Sequence, residues 1–423
     1  MSYRIAGIDV HKKMLAVVVS DVEVKGEYQF ERRRYGSNPE HLRLLAEWLI
    51  GQQVEEVVME STAQYWLPVW GALERYWKPI CQKREGAGPM SGMLHLAQAQ
   101  SNRGRRGRKK DFPDAERLVK RLVANELILS FVPDAEQRLW RTVTRRKYQL
   151  TRNKVRLQNQ LEALLEQVHI KLSSLVSDLL GVSARRMLKA LAEGETDPAV
   201  LAAMAHKQLR ATQAQLCDAL GACAELKPIY RRLLKMFLEE LQLLDQQISQ
   251  LDQEMATLLS RHQDAVERLA LVPGLGADSA QQIIAEVGAQ AATFPSAKQL
   301  ASWVGACPGD EESAGVSKTH RSPKANRHMR RILNQAANAA AKSKGTIFEI
   351  IYRRLVSRLG HNQTIGATAH RLCHLIWIIL HRGVAYEERG PSVNARSKQK
   401  RTSRMIRELR LLGYRIEPVG TPA

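Results

Sequence analysis

Over the first sixty residues the apolar positions come in short blocks, not in helical spacing. Residues 4–10 read as a buried strand, and residues 14–20, with Leu15, Ala16, Val17, Val18 and Val19, as a second. The tight His11-Lys12-Lys13 connection joins them. Residues 28–35 are predicted as a third, more exposed strand. Residues 39–50 place Leu42, Leu45, Ala46 and Leu49 on one side, the period of an amphipathic helix. Residues 54–60 return to strand, residues 66–77 are predicted helical, and residues 79–82 are expected to form a further short strand. Three strands, a helix, then alternating strand and helix is the order of a ribonuclease-H-like α/β domain.

The pattern then changes period. From residue 135 to 166 breakers are few, and Leu139, Val143, Leu150, Val155, Leu157, Leu161, Leu164, Leu165 and Val168 keep helical spacing. The other faces are basic. A second long helix is predicted over residues 229–259, with Leu234, Leu241, Leu244, Ile248, Leu251 and Met255. Apolar steps of three and four suit a coiled coil or an antiparallel helical pair, read as a spacer or interaction arm. Shorter helices lie between, broken at Gly181, at residues 194–198 and at Lys227-Pro228.

Residues 271–284 read as a helix-hairpin-helix element. The turn Pro273-Gly274-Leu275-Gly276 lets backbone amides at a helix N-terminus approach a phosphate, with Gly274 and Gly276 as the contacts. The plainer alternative is a tight helix–helix turn. A docking helix over residues 294–305 and a polar loop over 306–321 follow, the loop holding Ser313 among small residues. Lys318, Arg321 and Lys324 rim that loop, and a basic helix with Arg327, Arg330 and Arg331 leaves it, ending in small residues from Ala336 to Ala341. His370, Cys373 and His374 share a helix face, and with no further ligands evident they read as packing residues. After residue 389 comes a low-complexity stretch and a basic helix with Arg401, Arg404, Arg407 and Arg410, suited to a phosphate backbone.

Charge sharpens the picture. The chain has 423 residues, too many for one core, and a formal charge of +21. That excess points to a polyanion, most simply nucleic acid, because each phosphate neutralised releases counterions. Five scattered cysteines, never spaced Cys-x-x-Cys, argue against a disulfide framework or zinc ribbon and fit a reducing compartment. The first residues lack a signal-peptide pattern, and the longest apolar patch, from Leu375 to Leu380, is too short for a bilayer. A soluble, cytoplasmic, nucleoid-associated protein without a membrane partner is expected.

Four acids carry the chemistry. Asp9 leaves the first strand and Glu60 closes the fourth. Asp111 and Asp114 open a helix, three residues apart on one face. Singly, Asp111 reads as an N-cap and Asp114 as a first-turn acid favoured by the helix dipole. Jointly, converging carboxylates cannot all stay ionised without cations, and Mg2+ or Mn2+ are the natural occupants. Two such ions about 4 Å apart would clamp the attacking and leaving oxygens of a phosphodiester. Just before this helix, Arg103, Arg105, Arg106, Arg108, Lys109 and Lys110 form a basic arm, with Gly104 and Gly107 opposing regular structure. Contacts to phosphates near the scissile bond are expected there.

Gly7-Ile8-Asp9-Val10-His11-Lys12, Met59-Glu60-Ser61-Thr62, Lys110-Asp111 with Asp114-Ala115, Val272-Pro273-Gly274-Leu275-Gly276 and Ser313-Ala314-Gly315 occur in this order. With them, over essentially its whole length, the chain resembles the IS-one-ten family of insertion-sequence transposases, of the Asp-Glu-Asp-Asp type. It looks closest to the IS-eleven-eleven branch. The resemblance implies a RuvC-like domain over residues 1–134, a coiled-coil connector over 135–262, a helical C-terminal transposase domain over 263–386 and a basic tail over 387–423. It implies recombination of double-stranded donor and target DNA, guided by a structured non-coding bridge RNA. It makes Asp9, Glu60, Asp111 and Asp114 the metal-binding acids. It makes Ser313 the nucleophile of a covalent phosphoserine intermediate. One departure stands out: the family commonly has Ser-Gly-Gly, whereas this chain has Ser313-Ala314-Gly315 after Glu311-Glu312. Because acids and serine fall in different domains, a dimer or tetramer with composite sites is expected. The rivals are a metal-dependent Holliday-junction nuclease using water, and a non-catalytic nucleic-acid scaffold needing no divalent ion.

Overall fold

The computed structural model describes residues 3–22, 28–60, 63–84, 88–99, 102, 111–206, 209–307, 311–313, 316–319, 322, 325–388 and 395–411. Of residues 311–313, 316–319, 395–401 and 408 only the backbone is described. The chain divides into two compact units, Met1–Pro133 and Asp134–Ala423.

The first unit is built on a six-stranded sheet of order β3-β2-β1-β4-β5-β6. β1 (Arg4–Val10) and β2 (Met14–Asp21) pair antiparallel through the short turn between them, and β3 (Phe30–Gly36) pairs antiparallel with β2. After α1 (Pro39–Gly51), β4 (Glu56–Glu60) returns parallel to β1. β1 and β2 are buried almost throughout because both sheet faces are covered. Ile8, Leu15, Val17 and Met59 meet Leu45, Leu49, Leu73 and Trp77 on one face. Ile5 and Val18 meet Ala115 and Val119 on the other.

The stretch expected as a strand over residues 79–82 is helical. α2 (Trp66–Ala72) runs through a π turn (Leu73–Trp77) into α3 (Lys78–Lys83). The wide turn ends where the Lys78 N–H reaches the Leu73 carbonyl, and the next residue, Pro79, has no N–H to place. A short apolar run such as Pro79-Ile80-Cys81 fits strand and helix alike by periodicity. The fifth strand is instead β5 (Met93–Ala97), parallel to β4, with β6 (Leu129–Ser130) at the edge. Between them α4 (Asp111–Val123) crosses the sheet. A Cβ at Gly7 would stand 2.4 Å from the Ala115 carbonyl oxygen and 2.8 Å from Val119 Cγ2, so α4 rests directly on the β1 backbone.

The second unit opens with α5 (Ala135–Gln167), N-capped by the Asp134 side chain. α6 (Val182–Glu193), α7 (Pro198–Ala203) and α8 (Gln213–Ala219) follow, then α9 (Pro228–Leu258). α5 and α9 pack antiparallel: Lys147 meets Asp252, Lys154 Nζ lies 2.5 Å from Asp245, and Gln167 Nε2 lies 3.5 Å from the Tyr230 hydroxyl. Leu150, Leu157, Leu161 and Leu164 face Leu234, Leu241 and Leu244 along a seam with seven-residue steps, the pattern read from the sequence. The seam is not a bare pair, because Met187, Leu188 and Leu191 of α6 join the same core.

Beyond it come α10 (Gln263–Ala270), α11 (Ala277–Val287), α12 (Ala297–Val304), a hairpin of β7 (Glu311–Ser313) and β8 (Val316–Thr319), α13 (Arg327–Ala340), α14 (Ile347–Arg382) and α15 (Ala395–Leu411). α14 bends at Gly360, whose φ is +74°. Within the polar loop expected around Ser313, residues 311–313 and 316–319 form that hairpin, with Ser313 opposite Val316. In the α10–α11 turn Gly274 has φ +85°, and a Cβ there would stand 2.3 Å from the Ala336 carbonyl oxygen and 2.7 Å from the Ala340 nitrogen. The alanine run of α13 thus lies against Gly274, and close helix packing accounts for that glycine. Gly276 N-caps α11, with open space where its Cβ would be. No helix among the described residues is long and apolar enough to cross a membrane.

Gly7→Ala should push α4 off the sheet. We expect about 2 kcal/mol less stability in urea unfolding, the usual cost of overpacking a tight contact.

Candidate metal centre

The parallel register Ile8↔Met59 carries Asp9 and Glu60, the next residues along, to the same end of neighbouring strands. α4 starts beside them because its axis is fixed at Gly7. His11 Nε2 lies 3.0 Å from Asp9 Oδ2 and 3.5 Å from Asp111 Oδ1. Ligand atoms of Asp9, His11 and Asp111 all fall within 4.8 Å of one another. Arg34 approaches from β3, 3.6 Å from Asp111 Oδ2, its guanidinium over the Phe112 ring.

The other two acids are oriented by a chain of hydrogen bonds. Asn102 Nδ2 donates to Glu60 Oε2 at 2.8 Å. Arg117 donates to the Asn102 carbonyl at 3.1 Å and to Asp114 Oδ1 at 2.6 Å. Asn102 is buried, and its Oδ1 has no hydrogen-bond partner among the described residues. Asp114 therefore pairs through Arg117 one turn along α4.

Burial pushes the Asp9 carboxyl above its ordinary range; His11 opposes this, and the charges of Asp114, Glu60 and Asp111 add to the rise. All four predicted acids thus share one electrostatic neighbourhood. The donor set fits a hard divalent cation: carboxylate oxygens with one imidazole nitrogen, where negative charge is disfavoured until a counter-charge arrives.

Sequence reasoning did not assign His11, Asn102, Arg117 or Arg34 to the site. His11 stands in the sequence as a turn residue and as part of the Gly7–Lys12 motif, with no role assigned, and the others reach the site by packing. Of the predicted nucleic-acid contacts, Arg103, Arg105, Arg106, Arg108, Lys109, Lys110, Arg321 and Lys324 lie outside the described residues. Lys318 is on β8 and Arg327 is exposed at the start of α13. Arg331 is partly buried: it packs over the Tyr148 ring at 4.2 Å and donates to Gln282 at 2.5 Å, so it holds helices together.

In the second unit a cleft of about 1080 Å³ opens beside Ala306 and Cys307, which follow α12. Arg330, Asn334 and Asn338 of α13 and Gln363 and Arg371 of α14 line it, with no carboxylate among the described lining residues. His370, Cys373 and His374 are packing groups: His370 donates to the Ala306 carbonyl at 2.7 Å, and burial pushes the Cys373 thiol up to about 12.

Residues 6–170, holding all four acids, match a transposase family model of the DEDD, IS110 type. Residues 266–353, holding the Ser313 hairpin, match the model described as the transposase IS116/IS110/IS902 family. Together the two matches take in more than half of the chain. The chain belongs to the IS116/IS110/IS902 transposases. It is also similar to a probable family 20 transposase of Pseudomonas aeruginosa, 25% identical over 287 residues, which span 66% of this chain and 75% of that relative. As a transposase it is a DNA-processing enzyme that cuts and rejoins DNA, and DNA is its partner.

The Asp9 shift predicts a pH effect. A carboxyl raised by folding holds its proton more tightly folded than unfolded. Its ionisation therefore costs the transposase stability as pH climbs from the ordinary value of 3.8 through the raised folded value. Without divalent ions, Asp9→Asn should raise the thermal midpoint at neutral pH, and the gain should fade near pH 3, about a unit below the unfolded value.

Proposed function

We propose that this transposase recombines double-stranded donor and target DNA through a covalent phosphoserine link at Ser313, directed by a structured guide RNA and dependent on Mg2+ or Mn2+. The observation that carries this reading is the gathering of Asp9, Glu60, Asp111 and Asp114 around the joint end of β1 and β4. The strand order 3-2-1-4-5 supports a RuvC-like, ribonuclease-H-like reading of that unit. Residues 1–134, 135–262, 263–386 and 387–423 are the corresponding working divisions.

Asp9, His11 and Asp111 would hold the cation, with Glu60 and Asp114 completing the set. A divalent ion there supplies a Lewis acid that polarises phosphate oxygens and favours ionisation of an attacking hydroxyl. Asn102 and Arg117 keep Glu60 and Asp114 aimed. The Ser313 hydroxyl attacks phosphorus, giving up its proton as the Oγ–P bond forms. The P–O bond to the sugar breaks, and that oxygen leaves as a hydroxyl after taking a proton. Attack by a hydroxyl of another strand reverses the step and rejoins DNA, so bond energy is conserved and no nucleotide is hydrolysed.

Strand phosphates would be held by Arg327, by Arg330 and Arg371 in the cleft, by Lys318, and by the arm from Arg103 to Lys110. The α10–α11 turn serves as a backbone contact through Gly276, since Gly274 is taken up by α13. Acids and serine lie in different units, which favours composite sites in a dimer or tetramer working in the nucleoid-associated cytoplasm. The sequence of the target would be set by pairing in the guide RNA.

Adduct trapping on nicked DNA, read on denaturing gels, tests the reaction. Wild type should form a protein–DNA adduct with Mg2+ or Mn2+ and none in EDTA. Ser313→Ala and Asp9→Ala should form none. Cutting by Ser313→Ala without adduct would make water the nucleophile and the protein a junction nuclease. His11→Ala should weaken Mn2+ binding more than Mg2+ binding, as loss of a nitrogen donor requires, measured by Mn2+ paramagnetic resonance and competition.

A further inference from the structure

The segment that carries the Ser313 hairpin leaves α12 and returns at α13, and its two ends are tied together. The Asn326 N–H donates to the Trp303 carbonyl at 3.3 Å. The Asn326 side chain then works in two directions. Its Oδ1 accepts from the His328 and Met329 amides, both at 3.0 Å, and so caps α13. Its Nδ2 donates to Glu286 Oε2 at 2.8 Å.

Glu286, on α11, is 1% exposed. Its two oxygens take the Nε and one terminal nitrogen of Arg145, each at 2.9 Å, and Arg141 Nε stands 3.5 Å away. Both arginines belong to α5. Arg141 also donates to the Ala285 carbonyl at 3.2 Å and to the Glu286 carbonyl at 2.5 Å, and its guanidinium lies 5.9 Å from the Trp303 ring. One carboxylate thus links α5, α11 and the root of the hairpin.

A buried ion pair is weak evidence for stability, because desolvation offsets much of its attraction. What bidentate, charge-assisted bonds add is geometry. The metal centre makes no use of this cluster. We propose that Glu286 and Asn326 are positioning residues for the Ser313 hairpin, through which α5 sets where the hairpin's root stands. The inference rests on the reading of Ser313 as nucleophile.

The two functions of Asn326 can be separated. Asn326→Asp keeps the helix cap, since aspartate caps as well as asparagine. It replaces the donor facing Glu286 with a second carboxylate. Adding Glu286→Gln moves the donor to the other side and restores that bond and the local charge, at the loss of one of the two Arg145 bonds, because the same Glu286 oxygen accepts from both Asn326 and Arg145. In the full-length protein, Asn326→Asp should speed amide hydrogen exchange in Val316–Thr319 while leaving α9 and the first unit unchanged. The single-turnover rate of adduct formation should fall about tenfold to a hundredfold, the scale of a reacting group misplaced by an ångström. DNA affinity should hold. The double variant should recover part of the rate and of the protection. Unchanged exchange in β8, a rate loss that follows the thermal midpoint, or no recovery in the double variant would overturn the proposal. Failure of the nucleophile reading shows elsewhere, as adduct formed by Ser313→Ala, and leaves the exchange result standing.

Discussion

A helix lying on a strand that presents no side chain at the point of contact sets the geometry of the amino-terminal unit. At Gly7 the sheet offers only backbone, and α4 settles onto it through Ala115 and Val119. That depth of contact decides where the first turn of α4 stands, and so where Asp111 and Asp114 meet Asp9 and Glu60. The rest of the unit serves the same placement. The Ile8↔Met59 register aligns the strand ends, and the Asn102–Arg117 bonds keep the outer carboxylates turned in. Repulsion among those groups, with Asp9 buried, is tolerated because the scaffold on both faces of the sheet is well packed.

Much of this could be read from the chain. Short apolar blocks make β1, β2 and β4 plain, and helical spacing gives α1, α5 and α9 to within a residue or two. The acids were legible because strand ends and a helix start are local features. Partners that come from elsewhere were not. Asn102 follows a strand the sequence hid behind glycine and proline, and Arg117 reaches Asp114 only once α4 is formed. β5 is hard to read because Met93-Leu94-His95-Leu96-Ala97 has no β-branched residue, and α3 is ambiguous because three apolar residues carry no period. Gly274 shows a different limit: a glycine that suits a phosphate equally suits a crossing helix, and only the neighbour at Ala336 separates the two.

The second unit is organised by α5, which is shared between two environments. Its N-terminal half is held by directional polar contacts: Gln137 and Arg141 to the Ala285 carbonyl, and Arg145 to Glu286. Its C-terminal half is held mainly by leucines, with Lys154 on Asp245 beside them. A helix anchored by geometry at one end and by apolar area at the other transmits orientation in the first part and tolerates exchange of similar side chains in the second.

The seven-residue steps on both sides of the α5–α9 seam have a consequence for reach. α5 has 33 residues, so it spans about 50 Å. Excising one heptad from α5 together with its opposite heptad from α9 would draw the tip inward by about 10 Å at 1.5 Å per residue, with ridges and charge partners still in phase. Removing three or four residues instead would rotate leucines outward. The span of this lever is thus adjustable only in quantised increments, set by the pitch of its own winding.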